Sequence, residues 1–320
     1  MELPEALAVD IAEQRNWLNA HRAERGLSYE DLAKLTGIKG GTIGAFAIDK
    51  YAGNNQRIAD AVYSFRQRLV AQATMAMEVP AVPSYFETPS SRRMTARLTF
   101  AQIRGRISVV ATVPGLGKTT SCENYASADP LVYLATMSPT SEGILTMLIA
   151  ILDAMGERDA KGTPQALSRR IKERMRSSPG GLLIVDEAHN LSEKALDELR
   201  TLNDATGFGL CLAGNQDVLL RLKTGSRRAA LAQLESRVGN YMIAYGPEPG
   251  DAQALASAWN VSDAAQVAYL EKIAAMPGTL RTCTYVLETA AMMAASAESP
   301  ISLALLREAW SSRSNVKLEA

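Results

Sequence analysis

A doubly wound α/β core built on a five-stranded parallel sheet is the fold class this sequence predicts. Three observations point to it: five short apolar runs recur along the middle of the chain, helical patterns fill every gap, and a glycine loop follows the first run. The runs are Ile107–Ala111, Leu131–Ala135, Leu182–Val185, Gly209–Ala213 and Tyr241–Ala244. They are nearly continuous rather than alternating, as expected of parallel strands buried on both faces. Successive βα units of this kind place a ligand beyond the carboxyl ends of the strands.

Composition divides the chain of 320 residues into three parts. Residues 1–75 carry short helical patterns at Ala8–His21, Ser28–Leu35, Gly41–Ile48 and Arg57–Ala73, and read as a small helical module. The segment Glu78–Ser91 holds three prolines and four serines or threonines, which predicts a linker or an extended arm. The α/β core is placed at 76–246. The Pro-Glu-Pro-Gly break at 247–250 then opens an alanine-rich helical domain over 247–320.

Several function classes fall away. Cys122, Cys211 and Cys283 are odd in number and never form a CxxC pair, and His21 and His189 are the only histidines. A disulfide framework and a cysteine or histidine metal centre are therefore not expected. No apolar run approaches the roughly 18 residues of a membrane span, and the first residues lack a signal-peptide pattern, so a cytoplasmic protein without a membrane partner is expected. The net charge is zero, with arginine outnumbering lysine 24 to 10. Arginine's planar fork suits phosphate, so this excess points weakly toward nucleotides or nucleic acid.

The loop after the first strand reads Thr112–Val113–Pro114–Gly115–Leu116–Gly117–Lys118–Thr119–Thr120. A strand, a glycine loop and a Lys-Thr pair opening a helix form a P-loop, in which backbone N–H groups and the helix N-terminus cradle phosphates. Pro114 through Thr120 are the nucleotide-binding candidates. Lys118 is expected to reach the β- and γ-phosphates of ATP, and Thr119 to ligate Mg²⁺. The pattern asks for glycine at 112, where this chain has Thr112. The third run ends in Asp186-Glu187, giving a carboxylate for the Mg²⁺ shell and a base for the attacking water. His189 completes the string DEAH, but no arginine-rich motif follows it and a helicase needs two lobes. His189 is read as a polar residue at a helix start.

Three further positions complete the set. Asn215 ends the fourth run beside Asp186, Arg237 precedes the last run where it could reach a neighbouring subunit, and Arg281 opens a helix of the C-terminal domain. P-loop, Asp-Glu strand, Asn strand end, Ser-Arg and Leu-Arg in this order resemble an AAA+ ATPase with its helical lid. More narrowly, nearly the whole chain, including Ile48–Arg57, is similar to the family of phage Mu transposition protein B. That resemblance implies an ATPase that forms a homo-oligomeric filament or ring on double-stranded DNA with little sequence preference. It also implies recruitment of a transposase, followed by hydrolysis that dismantles the assembly. A replication helicase loader and a nucleotide-sensing transcriptional regulator are the competing readings.

Residues 29–48 fit a helix-turn-helix, with Ser28 and Asp31 capping the first helix, Gly37 making the turn, and Ile43 and Phe46 anchoring the second. The second helix offers few long polar side chains for base edges. Lys39, Lys50 and Arg57 would instead contact phosphates, which position DNA without reading it. Leu167, Ile171 and Met175 form an apolar stripe at i, i+4 and i+8, so Arg169, Arg170, Arg174 and Arg176 are expected on a solvated face. By resemblance to the family, the basic loop with Arg158 and Lys161 is expected to face DNA.

Overall fold

The computed structural model describes residues 9–78, 85–216 and 228–314, with the side chains of 71–78 and 228–231 outside the description. The chain divides into two compact units, Met1–Pro80 and Ala81–Ala320.

The first unit contains α1 (Ile11–Arg25), α2 (Tyr29–Thr36), α3 (Gly40–Ala47) and α4 (Asn55–Glu78). Ser28 and Asp31 form the expected reciprocal cap on α2, satisfying N–H groups that the helix start leaves unpaired. Gly37 follows at φ 74°, a left-handed conformation that ends α2 and turns the chain into α3. Leu18, Leu32, Ile43, Phe46, Ile58 and Val62 bury themselves together as the core of this unit. Arg15 of α1 donates to the Phe46 carbonyl at 2.8 Å and pairs with Asp49 at 2.7 Å. The C-terminal end of α3 is thus held by a cation, where the helix dipole favours one.

The described part of the second unit opens on residues 85–88, which lie outside regular secondary structure, and α5 (Pro89–Arg104). The segment read as a linker is therefore partly helical: α4 runs to Glu78, α5 starts at Pro89, and 79–84 lie outside the described residues. Thr88 and Ser91 form a capping box that starts α5.

Next come β1 (Ile107–Thr112), α6 (Lys118–Ala128), β2 (Val132–Thr136), α7 (Ile144–Ala154), α8 (Pro164–Ser177), β3 (Leu182–Asp186), α9 (Glu193–Thr206) and β4 (Gly209–Gly214). After the undescribed residues follow α10 (Arg228–Arg237), β5 (Val238–Ala244), α11 (Asp251–Ala258), α12 (Ala264–Ala274), α13 (Thr279–Ser296) and α14 (Leu303–Arg313).

The sheet order is β2-β3-β4-β1-β5, and every neighbouring pair is parallel. β1, β3 and β4 are buried along their whole length, which is why their sequences are unbroken apolar runs. β5 is an edge strand and only partly buried. It starts three residues before the apolar run at Tyr241. One face of the sheet packs against α7, α8 and α9 through Ile107, Val109, Leu183, Val185 and Leu212. The other face, through Val110, Ile184 and Met242, shares a core with α5 and with the C-terminal helices.

Inserting β1 between β4 and β5 brings the carboxyl ends of β1, β3 and β4 together. Ala111 pairs with Gly214, and Val185 with Leu212. The loop at 112–117, the Asp186-Glu187 step and Asn215 therefore converge at one end of the sheet.

Candidate nucleotide site

Gly115 and Gly117 hold positive φ angles of 87° and 82°, so the loop turns its backbone in a way that side chains resist. At Gly115 a second constraint applies. A Cβ there would lie 2.0 Å from the carbonyl oxygen of Gly278. The start of α13 is seated on the loop: Arg281 N–H donates to Gly115 O at 3.1 Å, and Thr279 Oγ1 donates to Pro114 O at 3.1 Å. The glycine that shapes the loop also admits the start of α13.

Behind the loop, Asp186 is fully buried and completely engaged. Its Oδ1 accepts from Lys118 Nζ at 2.7 Å and from Glu187 N–H at 2.8 Å, and its Oδ2 accepts from Thr119 Oγ1 at 2.8 Å. A buried carboxylate persists only when paired and hydrogen-bonded in this way. Glu187 adopts φ 54°, a left-handed conformation for a non-glycine residue, which costs on the order of 1–3 kcal/mol and recurs at functional sites. Its Oε1 accepts from Lys118 Nζ at 3.2 Å. His189, on a 3₁₀ turn at Ala188–Asn190, brings Nδ1 to 3.2 Å from the other Glu187 oxygen, but off the hydrogen-bonding direction. The residue read as a helix-start polar group thus borders the candidate base.

The loop, Glu187 and His189 line one cavity of about 500 Å³, within the range of small-molecule sites, while the buried Asp186 is outside its lining. Pro114, Gly115, Leu116, Gly117, Lys118, Thr119, Thr120, Glu187, Asn215 and Arg281 all face it. Thr112 lines it as well, with its buried hydroxyl lacking a partner among the described residues. Four lining residues carry no role in the sequence reading: Tyr85 and Phe86 come from the stretch before α5, and Trp259 and Leu280 from the C-terminal helices and their caps. An aromatic pair inside a proline- and serine-rich segment was the available signal.

The residues suit the nucleotide and metal expected of such a loop. Two hard oxygen donors, Thr119 Oγ1 and Asp186, sit side by side beneath the cationic Lys118, the donor type that Mg²⁺ takes. Thiol chemistry has no place here. Burial pushes the Cys211 thiol up to about 12, with the Asp186 charge adding to the effect.

Arg237 stands apart from this cavity. It ends α10 just before β5, where Val238 pairs with Ile107, the first residue of β1. The loop follows Thr112 at the other end of that strand, roughly 16 Å away along β1 at about 3.3 Å per residue.

The basic candidates are all exposed: Lys39, Lys50 and Arg57 in the first unit, Arg158 and Lys161 in the α7–α8 loop. Two arginines expected on a solvated face do something else. Arg170 pairs with Glu157 and donates to Lys161 O at 3.1 Å, while Arg174 donates to Met155 O. Their forks bind loop carbonyls that a helix pattern cannot reveal. Arg169 remains exposed 3.9 Å from Glu173, and Arg176, also exposed, donates to Ala205 O at 3.3 Å.

Residues 103–222 match the AAA domain family, and residues 236–312 match the C-terminal domain family of the Mu B transposition protein. The chain is 30% identical over 302 residues to the ATP-dependent target DNA activator B of Escherichia phage Mu, covering 94% of this chain and 95% of that protein. It is 34% identical over 271 residues to the Mu-like prophage FluMu DNA transposition protein B of Haemophilus influenzae, covering 84% and 93%. Among solved structures, Cdc6p from Pyrobaculum aerophilum is similar at a TM-score of 0.54 and 15% identity, covering 74% of this chain and 70% of that one. The ORC2 protein of Aeropyrum pernix is similar at 0.50 and 16%, covering 71% and 67%. These two likenesses concern the fold alone. Fold, cavity and near-full-length similarity agree: the chain belongs to the Mu B transposition protein family of AAA+ ATPases.

Proposed function

We propose that this chain binds and hydrolyses ATP to control its own assembly on target DNA, and that the assembly recruits and activates a transposase in the cytoplasm of a bacterial host. The observation that carries this reading is the near-full-length similarity to relatives described as ATP-dependent target DNA activators. The cavity supports it in detail. Lys118 holds the terminal phosphates, the loop N–H groups cradle them, and Thr119 with Asp186 holds Mg²⁺. A Mg²⁺ ion held by these two residues would supply charge neutralisation on the phosphates. Glu187, held by Lys118 and strained at its backbone, takes the proton of the attacking water. Asn215 and Arg281 face the same space and stabilise the transferring phosphate, while Arg237 acts on the site of a neighbouring subunit.

Lys39, Lys50, Arg57, Arg158 and Lys161 contact phosphates of double-stranded DNA, so binding is largely indifferent to sequence. No described helix is long and apolar enough to cross a membrane. Electron microscopy of the full chain with a slowly hydrolysed ATP analogue and arbitrary duplex DNA tests this reading. Continuous coating that requires the analogue supports it. Discrete occupation of one preferred sequence, with or without nucleotide, would point to a helix-turn-helix regulator instead.

A further inference from the structure

Outside the phosphate end of the cavity, the most completely satisfied buried charge is Asp251, the first residue of α11. It is fully buried, and it joins two segments 161 residues apart. Its Oδ1 accepts from Ser90 N–H at 2.8 Å, and its Oδ2 accepts from Ser90 Oγ at 2.5 Å and from Glu248 N–H at 2.7 Å. Ser90 lies in the first turn of α5, so the carboxylate supplies one of the acceptors that this helix start lacks, at the end where the dipole favours an anion. Arg93 pairs with Glu248 alongside, and the α-carbon of Gly250 approaches Pro89 closely enough that a Cβ would sit 3.5 Å from its ring. The chain leaving the sheet for the lid is therefore fastened to the start of α5, not left as a free hinge.

Both fastened segments lead directly into the cavity. Thr88 and Ser91, which cap α5 on either side of Ser90, line it, and the residues before them contribute Tyr85 and Phe86. On the other side α11 leads to Trp259, which lines the cavity too. These aromatic groups come from segments other than the loop and the end of β3 that carry the lysine and the carboxylates, and planar apolar surface of this kind suits a nucleobase.

We propose that Asp251 is a positioning residue for the nucleobase end of the cavity: by capping α5 and anchoring α11 together, it sets the spacing between the two walls that clasp the base. This rests on the reading of the cavity as a nucleotide site. It assigns to Asp251 no contact with ATP and no role at the phosphates.

The test is calorimetric titration of the full chain with two probes, ATP and inorganic tripolyphosphate, which carries the phosphates without a base. Asp251→Asn should raise the Kd for ATP at least tenfold and leave that for tripolyphosphate within twofold. Ser90→Ala removes one of the three donors and should shift ATP binding in the same direction by about threefold, again sparing tripolyphosphate; it carries the test alone if Asp251→Asn does not fold. Equal weakening of both probes, or unchanged ATP affinity, would overturn the assignment. Wild-type protein that binds neither probe would overturn the nucleotide reading itself, a result distinct from failure at Asp251.

Discussion

Arg237 donates through Nε to Asp204 at 3.0 Å, at the end of the sheet opposite the 112–117 loop. Asp204 also holds Arg200 at 2.6 Å, so this carboxylate gathers two arginines on the surface near the start of β5. Nothing in the fold lets Arg237 curl back to its own cavity along a strand six residues long.

If Arg237 completes a neighbour's site, Arg237→Ala should lower turnover by about 10³-fold or more, the scale of an arginine finger. Nucleotide binding by single subunits should be retained, because their own loop is intact. Mixing Arg237→Ala with Lys118→Ala subunits should restore part of the ATPase rate. In some mixed interfaces, an intact finger from one variant meets an intact loop on the other. Absence of recovery despite demonstrated co-assembly would make Arg237 a structural residue.

Glu187→Gln keeps an oxygen for Lys118 and leaves Asp186 and Thr119 untouched. ATP binding should persist while hydrolysis falls by about 10²- to 10⁴-fold, the range for loss of a general base. Protein–DNA complexes formed with ATP should then outlast those of the wild type in a dilution assay. Dissociation at the wild-type rate would separate disassembly from this residue.

Gly115 and Gly117 have similar φ angles but different surroundings. A Cβ at Gly115 meets the Gly278 carbonyl at 2.0 Å, whereas at Gly117 nothing lies within 4 Å. Gly115→Ala should therefore lower the melting temperature clearly more than Gly117→Ala, since it adds displacement of α13 to backbone strain of about 1 kcal/mol or more. Equal melting temperatures for the two variants would show that the lid is not seated on the loop.

The α7–α8 loop separates contact from positioning. Arg158→Ala and Lys161→Ala should each weaken DNA binding and reduce the slope of log affinity against log salt by about 0.9, the value for one lost phosphate contact. Arg170→Gln loosens the loop by releasing Glu157 and the Lys161 carbonyl. It should lower affinity with the slope unchanged. A slope that falls in Arg170→Gln as it does in Arg158→Ala would make Arg170 a contact residue.

Much of this site is legible before any coordinates, because its signals are local. A strand buried on both faces must be apolar, a phosphate loop needs glycines and Lys-Thr at fixed spacing, and Ser28 with Asp31 announces a helix start. The strands β1 to β4 accordingly begin and end within one residue of the apolar runs. What escapes is long-range. β5 starts early because Val238 and Asn240 are only partly buried at an edge. The start of α5, Pro89–Ser91, reads as part of a linker because its polar first turn draws one of its acceptors from Asp251. Arg170 and Arg174 looked solvated because their partners are loop carbonyls, which leave no trace in residue identity.

Whether assembly depends on a nucleotide at Lys118 is measured most directly by fluorescence anisotropy with duplexes of unrelated sequence and increasing length. Wild-type protein with ATP should bind every sequence similarly and tighten as the duplex lengthens, while Lys118→Ala should bind weakly at all lengths, with or without ATP. Length-dependent, ATP-dependent binding retained in Lys118→Ala would contradict the assignment of the site and the function built on it.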